Sequence, residues 1–253
     1  MENVNEEINP MQDALFIVLL FKNDSFTRAA YDIEIAGKKM WEWVSICGSG
    51  AKTKTIPCTE ETDIISLIKP FVENEKYTFV FYSDTPLITR ANVLEIFEYF
   101  KQNNLSVLKL KRGYVFENAY LLNCESVLCD YNKIFDGNEF FAVDSFIKLA
   151  RVREIIKRRI NRYHMKNAVN IIDFNSTNID ADVIIEKGAT IYPNNCIYGQ
   201  SYIGENAVLE PNNVVKDSII SSGAVLKGAY VQNSRVSENT IISPFEKIID
   251  KNI

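Results

Sequence analysis

The sequence predicts an α/β domain, then a connecting helix, then a β-solenoid, along 253 residues. Three observations carry this. Over residues 1–145, continuous apolar runs alternate with helically periodic segments, the pattern of strands buried on both faces and joined by helices. Residues 146–165 open on FIKLARVREIIKRRINR, a stretch without Gly or Pro that reads as one helix. Over residues 166–253 an aliphatic residue recurs every six positions, and fixed self-similarity of this kind marks a stacked-repeat fold.

Taken in order, Ala14–Phe21 (ALFIVLLF) is the first strand and Tyr77–Tyr82 (YTFVFY) the second. Asn92–Lys101 follows with Val93, Ile96, Phe97 and Phe100 at helical spacing. Leu105–Leu110 is a third strand, and Tyr120–Leu122 lies in a fourth. Strands alternating with helices predict a mostly parallel sheet. The helix at 146–162 carries seven basic residues from Lys148 to Arg162, with Phe146, Leu149, Val152, Ile155, Ile156 and Ile160 on its packing side. A charge run of this kind is read as a solvated face rather than as a patch for an anionic partner. In the solenoid, Ile179, Ile185, Ile191, Ile197, Ile203, Leu209 and Val215 are spaced by six. The phase then slips by one and continues through Ile220, Leu226, Val231, Val236 and Ile242. This is the hexapeptide β-helix pattern: each repeat is a short strand and a turn, and three make a triangular coil, so about four coils are expected. Gly188, Gly199, Gly204, Gly223 and Gly228, with Asn194, Asn195, Asn206, Asn212 and Asn213, suit turns in left-handed backbone geometry. The tail Lys247–Ile253 is expected to cover the open edge of the last coil.

Composition excludes several classes. Net charge is −5, from 28 basic and 33 acidic residues, so no basic footprint for nucleic acid exists. Five cysteines without a CxxC pair and a single histidine argue against a disulfide framework or a Cys/His metal centre. The acidic, polar N-terminus is not a signal peptide, and Ala14–Phe21 is too short to span a bilayer, so a cytoplasmic protein without membrane contact is expected. Ten glycines are about 4%, against a usual share of about 7%, and none lies in the first 36 residues. A glycine loop wrapping phosphate near the N-terminus is therefore impossible.

Residues 159–182, RINRYHMKNAVNIIDFNSTNIDAD, resemble the domain junction of the bacterial bifunctional N-acetylglucosamine-1-phosphate uridylyltransferase/glucosamine-1-phosphate acetyltransferase family. Ile35–Val44 (IAGKKMWEWV) is similar to its IAGKPMLEHV, Ser83–Thr89 (SDTPLIT) to its GDTPLI, and Val143–Ala150 (VDSFIKLA) to its VNNRLQLA. The resemblance implies a reduced nucleotidyltransferase-like (Rossmann-like) α/β domain followed by a short left-handed parallel β-helix of hexapeptide repeats, and a homotrimer along the β-helix axis. It places Asp84 at the Asp of GDTPLI and Asp144 at the first Asn of VNNRLQLA, the two groups with which the family holds Mg²⁺, and Arg28 where its loop arginine neutralises a triphosphate; Asp in place of that Asn is still an oxygen donor suited to Mg²⁺. Asn118 and Tyr120 echo a sugar-contacting N-x-G-x-Y. Other roles stay open for the two acids: Asp84 as the cap of a helix beginning near Thr89 or as part of a turn with Thr85 and Pro86, and Asp144 as the N-cap of the basic helix.

The departures bear on activity. Where the family has LAAGxGTRM and Pro-Lys, this chain has LLFKNDSFTR at Leu19–Arg28, without glycine. Where it reads uracil through Q-x-x-G-T, residues 55–63 read TIPCTEETD. The residues that follow the family's IGPF are replaced after Ile242–Phe245, and the only histidine, His164, is in the junction helix as a packing residue. Acetyl transfer is therefore not expected. Two readings result. One is a uridylyltransferase-like protein using UTP or another nucleotide with Mg²⁺, weakened or inactive. The other is a non-catalytic paralogue that binds a nucleotide sugar or serves as a trimeric scaffold. A hexapeptide acyltransferase is the least supported.

Overall fold

A computed structural model describes residues 11–22, 26, 30–127, 129–135 and 137–253. The chain divides into two compact units: Met1–Ile33 with Lys39–Val152, and Glu34–Lys38 with Arg153–Ile253. The division thus falls inside the connecting helix rather than before it, and a short hairpin from the front half belongs to the second unit.

The elements of the first half are β1 (Ala14–Phe21), β2 (Glu34–Ile35), β3 (Lys38–Lys39), α1 (Met40–Ser45), β4 (Lys52–Cys58), α2 (Ile64–Ile68), β5 (Tyr77–Tyr82), α3 (Arg90–Gln102), β6 (Val107–Leu110), β7 (Gly113–Glu117) and α4 (Asn118–Asn123). The main sheet has the order β4-β1-β5-β7-β6. β1 runs parallel to both β4 and β5, with Phe21 opposite Cys58 and Leu19 opposite Tyr82. β7 is antiparallel to both β5 and β6. The expected mostly parallel sheet is therefore a mixed one, because a tight turn at Lys111–Arg112 replaces a crossover.

β1 is buried on both faces, as its uninterrupted apolar run requires. Phe16 and Val18 face a core with Phe79, Phe81 and the α3 residues Val93, Ile96, Phe97 and Phe100. Leu15, Ile17 and Leu19 face another with Ile56, Ile65, Ile68, Val80, Phe116 and Leu121. Phe16 stacks on Phe81 with ring centroids 5.3 Å apart. α3 begins at Thr89, which caps it: its hydroxyl accepts from Asn92 N (3.2 Å), and Asn92 Oδ1 accepts from Thr89 N (3.0 Å). Asp84 is not that cap. Tyr120–Leu122 is not strand either; it lies in α4, where Asn118 and Leu121, three apart, are buried at helical spacing. The fourth strand is the preceding segment, β7.

The connecting helix α5 spans Phe146–Lys166. Leu149, Val152 and Ile156 are buried, whereas Phe146 and Ile147 are exposed. His164 is buried, and burial holds its pKa below the usual 6.5.

In the second unit, the β2–β3 hairpin turns at Ala36 (φ 48°) and Gly37 (φ 78°), which explains why the IAGKK segment carries a glycine there. Lys38 Nζ pairs with Asp182 at 2.6 Å, and Ala181 N donates to Ala36 O at 3.0 Å. The solenoid then runs from β8 (Asn170–Ile171) to β21 (Lys247–Ile249) as fourteen short strands in three parallel sheets. Two sheets are five strands deep and one is four, so the β-helix is closer to five coils than to the expected four. All twelve of these aliphatics, seven spaced by six and the rest by five or six, point inward and form one continuous core with Ile171 and Ile248. The phase slip is a shortening of the coil: Ile185 pairs with Ile203, Ile203 with Ile220, and Ile220 with Val236.

Left-handed backbone is found at Gly188, Gly199, Gly223 and Gly228 and at Asn194, Asn206 and Asn212, but not at Gly204, Asn195 or Asn213. Gly204 is needed for a close approach instead: a Cβ there would lie 2.6 Å from Ser222 N in the next coil. Asn195 and Asn213 are buried and run a polar ladder up one corner. Asn195 Nδ2 donates to Tyr192 O, Leu209 O and Glu210 O, Asn195 Oδ1 accepts from Asn213 N at 3.1 Å, and Asn213 Oδ1 accepts from Ala229 N at 2.8 Å. Ser201, Ser218 and Ser234 do the same at another corner, each hydroxyl accepting a backbone N–H of the following coil. The tail is not a separate cover. It continues the coil, with Arg235 bridged to Asn252 and Ile253 N bonded to Arg235 O.

Among the described residues, no helix is long and apolar enough to cross a membrane.

Replacing Asn195 with Ala leaves buried backbone groups of two coils without partners, and lowers the unfolding free energy by about 2–3 kcal/mol in urea titrations. His164 titrates with the opposite sense to a salt-bridged histidine. Its folded pKa is lowered, so its contribution is intact above about pH 6.5 and is lost as pH falls below it. His164→Gln flattens that part of the stability–pH profile.

Candidate functional site at the strand switch point

β1 lies between β4 and β5, and the chain leaves β1 toward the β4 side but leaves β5 toward β7 and β6. In open α/β sheets the crevice beyond the carboxyl ends of two such strands is the place where ligands bind. Here those ends carry Phe21 and Lys22 from β1, and Tyr82, Ser83 and Asp84 from β5. Two bonds hold the ends together: Ser83 N donates to Leu19 O (2.9 Å), and Phe21 N donates to Ser83 Oγ (3.1 Å).

The β6–β7 turn adds a residue that sequence reasoning missed. Gly113 pairs with Phe81, so Arg112 comes level with the end of β5. Its guanidinium lies 4.1 Å from the Tyr82 ring centroid and 4.8 Å from that of Phe21. It grips Asp84 at two points, Nε to Oδ1 at 3.3 Å and Nη2 to Oδ2. The Asp84 side chain is only 4% exposed. Burial pushes its carboxyl above the usual aspartate range, and Arg112 pulls it back. Burial also raises the neighbouring Cys58 thiol to about 11 and the Tyr82 phenol to about 12, so both are neutral.

Asp144 joins this site. Val143 N donates to Asp84 O at 2.8 Å, and the Asp144 charge contributes to the upward shift on Asp84. Asp144 is half-exposed and paired with Lys148 one turn further on, which holds its carboxyl below the usual range. Ser145, the next residue, supplies the start of α5: Leu149 N donates to Ser145 O, and Lys148 N to Ser145 Oγ.

The structure does not bring the other predicted residues here. Asn118 is buried at the opposite end of β5, accepting from Thr78 Oγ1 at 2.7 Å and donating to Glu75 O at 2.6 Å. The length of β5 puts it about 20 Å from Asp84. Tyr120 packs half-buried against the Leu15–Leu121 core. Arg28 lies outside the described residues. The acid of TIPCTEETD that does structural work is Asp63, which caps α2 by accepting from Ile65 N and Ser66 N.

Mg²⁺ is the group the resemblance implies, and the donor set can be tested against it. Mg²⁺ wants octahedral oxygens at about 2.0–2.1 Å and keeps several waters. Both carboxylates are oxygen donors of the right kind, but each is already matched by a side-chain cation, and Asp84 is sealed from solvent. Among the described residues, no group of three or more His, Cys, Asp or Glu converges anywhere. As it stands, the pair does not fit a resident divalent ion.

No protein-family model matches the chain. By sequence, it is similar to the bifunctional protein GlmU of Clostridium kluyveri, at 39% identity over 110 residues, or 44% of this chain and 24% of that protein. The Clostridium novyi GlmU is 40% identical over 111 residues, and that of Clostridium tetani 42% over 110. The likeness read from the motifs is thus shown, in shortened form: the chain spans about a quarter of the length of the curated relatives it matches. Among solved structures, CMP:2-keto-3-deoxy-manno-octonic acid synthetase complexed with CTP aligns with 58% of this chain and 99% of its own, at 11% identity and a TM-score of 0.44. That is too slight a likeness to carry an argument.

Replacing Arg112 with Met leaves a buried carboxylate unpaired and destabilises the protein by about 3 kcal/mol at neutral pH. With Arg112 gone, the folded pKa of Asp84 rises further. The folded state then binds a proton the unfolded state does not, so the variant loses stability as pH rises above the unfolded value of 3.8. Urea melts at pH 5 and pH 7.5 check this: the deficit is smaller at the lower pH.

Proposed function

We propose that this chain is a sugar-phosphate nucleotidyltransferase-like protein that binds a nucleotide or nucleotide sugar of the UDP-N-acetylglucosamine type and turns it over weakly or not at all. The observation that carries this reading is that the segment bearing Asp144 docks on Asp84 at the strand switch point, SDTPLIT resembling GDTPLI at Asp84 and VDSFIKLA resembling VNNRLQLA with Asp144 in place of its first Asn. The chemistry would be attack of a sugar-phosphate oxygen on the α-phosphorus of a nucleoside triphosphate, with pyrophosphate leaving. Catalysis of that step is positioning and charge stabilisation. The cations this chain offers beside the crevice are Lys22 and Arg112, and Arg112 is held by Asp84. With no glycine loop after β1, at least two charge-assisted bonds to the triphosphate are missing. At about 2 kcal/mol each, their loss costs roughly a thousandfold in rate.

Titration calorimetry with UTP and UDP-N-acetylglucosamine, alongside a pyrophosphate-release assay, tests the proposal. Binding of at least one ligand is expected, with release at least about a thousandfold below a full-length bifunctional relative. Binding of neither ligand sinks the nucleotide reading, and release at the relative's rate sinks the weakened one.

A second part of the reading is self-association as a homotrimer through the solenoid. One outer face carries Ile184, Tyr202 and Ile219 on consecutive coils, and Ile184 is 56% exposed. Sedimentation at three times the 28.9 kDa chain mass is expected, reduced to a single chain by Ile184→Asp with Ile219→Asp. A monomeric parent protein rules it out.

A further inference from the structure

We infer that Arg112 stands in the place of a metal: the switch-point site is built around a fixed guanidinium, and it binds its phosphate ligand without a divalent cation. The part about the ligand rests on the function proposed above; the part about the metal does not.

Four observations converge. The first is occupancy of the donors. Arg112 reaches both oxygens of Asp84, and Lys148 reaches Asp144. The second is charge balance. Two carboxylates against a guanidinium and an ammonium leave the cluster neutral, so it lacks the excess negative charge that draws in a divalent ion. The third is that the guanidinium is not free to step aside. It packs against the rings of both Tyr82 and Phe21, and its side chain is only 25% exposed, so a metal would have to displace it from both its ion pair and its aromatic contacts. The fourth is hydration. Asp84, at 3% exposure, offers little room for the waters that Mg²⁺ retains.

A planar guanidinium suits a phosphate ligand. Nε and Nη2 each give an N–H to Asp84, and the other N–H groups of the guanidinium are the ones a phosphate would meet, with a positive charge that needs no separate cofactor. Asp84 then acts as a positioning residue, since it fixes the orientation of Arg112 and touches no ligand.

The test separates metal from ligand. Mn²⁺ alone is titrated into the wild-type protein, Asp84→Asn, Arg112→Gln and the Arg112→Gln/Asp84→Asn double variant, with bound ion read by electron paramagnetic resonance. Folding of each variant is checked by circular dichroism. Wild type and Asp84→Asn should show the same negligible binding. Arg112→Gln, which uncovers the Asp84 carboxylate, should gain at least about tenfold in Mn²⁺ affinity, and the double variant should lose that gain, which corresponds to about 1.4 kcal/mol. Saturable Mn²⁺ binding by the wild type that Asp84→Asn weakens tenfold overturns the inference, and this comparison stands even if Arg112→Gln does not fold. In a second arm, UDP-N-acetylglucosamine is titrated in EDTA and in excess Mg²⁺. Equal affinities support the inference, and binding that appears only with Mg²⁺ overturns it. If the nucleotide sugar binds under neither condition, the proposed function fails while the Mn²⁺ result still decides the question of the metal.

Discussion

Parallel strand pairing requires the chain to return, after each strand, to the end from which it set out. Both units of this molecule are answers to that demand. In the first unit the return path is long, and it leaves loops gathered at the carboxyl ends of β1 and β5, where the segment carrying Asp144 docks on Asp84. In the second, the return path is cut to a corner of a few residues, repeated coil after coil. The backbone of neighbouring coils crowds together there, so each buried N–H and C=O at a corner must find a partner, in an adjacent coil or in a side chain of the corner itself. The asparagine and serine ladders at Asn195–Asn213 and Ser201–Ser218–Ser234 meet that need.

The same constraint governs the site. An acid at the end of a buried central strand is taken out of water, and a carboxylate in that position must be neutralised or hydrogen-bonded. A metal is one solution and a guanidinium another. The antiparallel β6–β7 turn, which interrupts the parallel sheet, delivers the guanidinium. The change in strand direction and the change in the chemistry around Asp84 are thus one structural event.

How much of this was legible in the sequence follows from how local each signal is. The six-residue period was fully legible, because an inward residue in every repeat is a one-dimensional code; every aliphatic read from it, from Ile179 to Ile242, is in the solenoid core. The double burial of β1 was legible from its unbroken apolar run. Asn195 and Asn213 were misread, because asparagine serves both as a left-handed turn residue and as a buried double donor and acceptor, and only its place in the coil separates the two uses. Asn118 was misread because a short motif does not say which end of a strand it adjoins. Arg112 was missed because a lone arginine in KLKRGY carries no pattern. The signal that locates it is the turn between two alternating segments, Val107–Leu110 and Gly113–Glu117, read together with their pairing onto β5.

The varying length of the coil has a consequence for how such a chain changes over generations. Turns of the solenoid differ in length by a residue or two, shorter from Ile203–Ile220 to Ile220–Val236 and longer again from Val215–Val231 to Val231–Ile248, while the inward columns stay aligned. Corners therefore absorb the gain or loss of single codons, whereas the same event inside a two-residue strand would turn its aliphatic outward. The architecture sorts insertions and deletions by position, tolerating them at the vertices of the triangle and purging them along its sides. A lineage built this way can drift in length without losing its core.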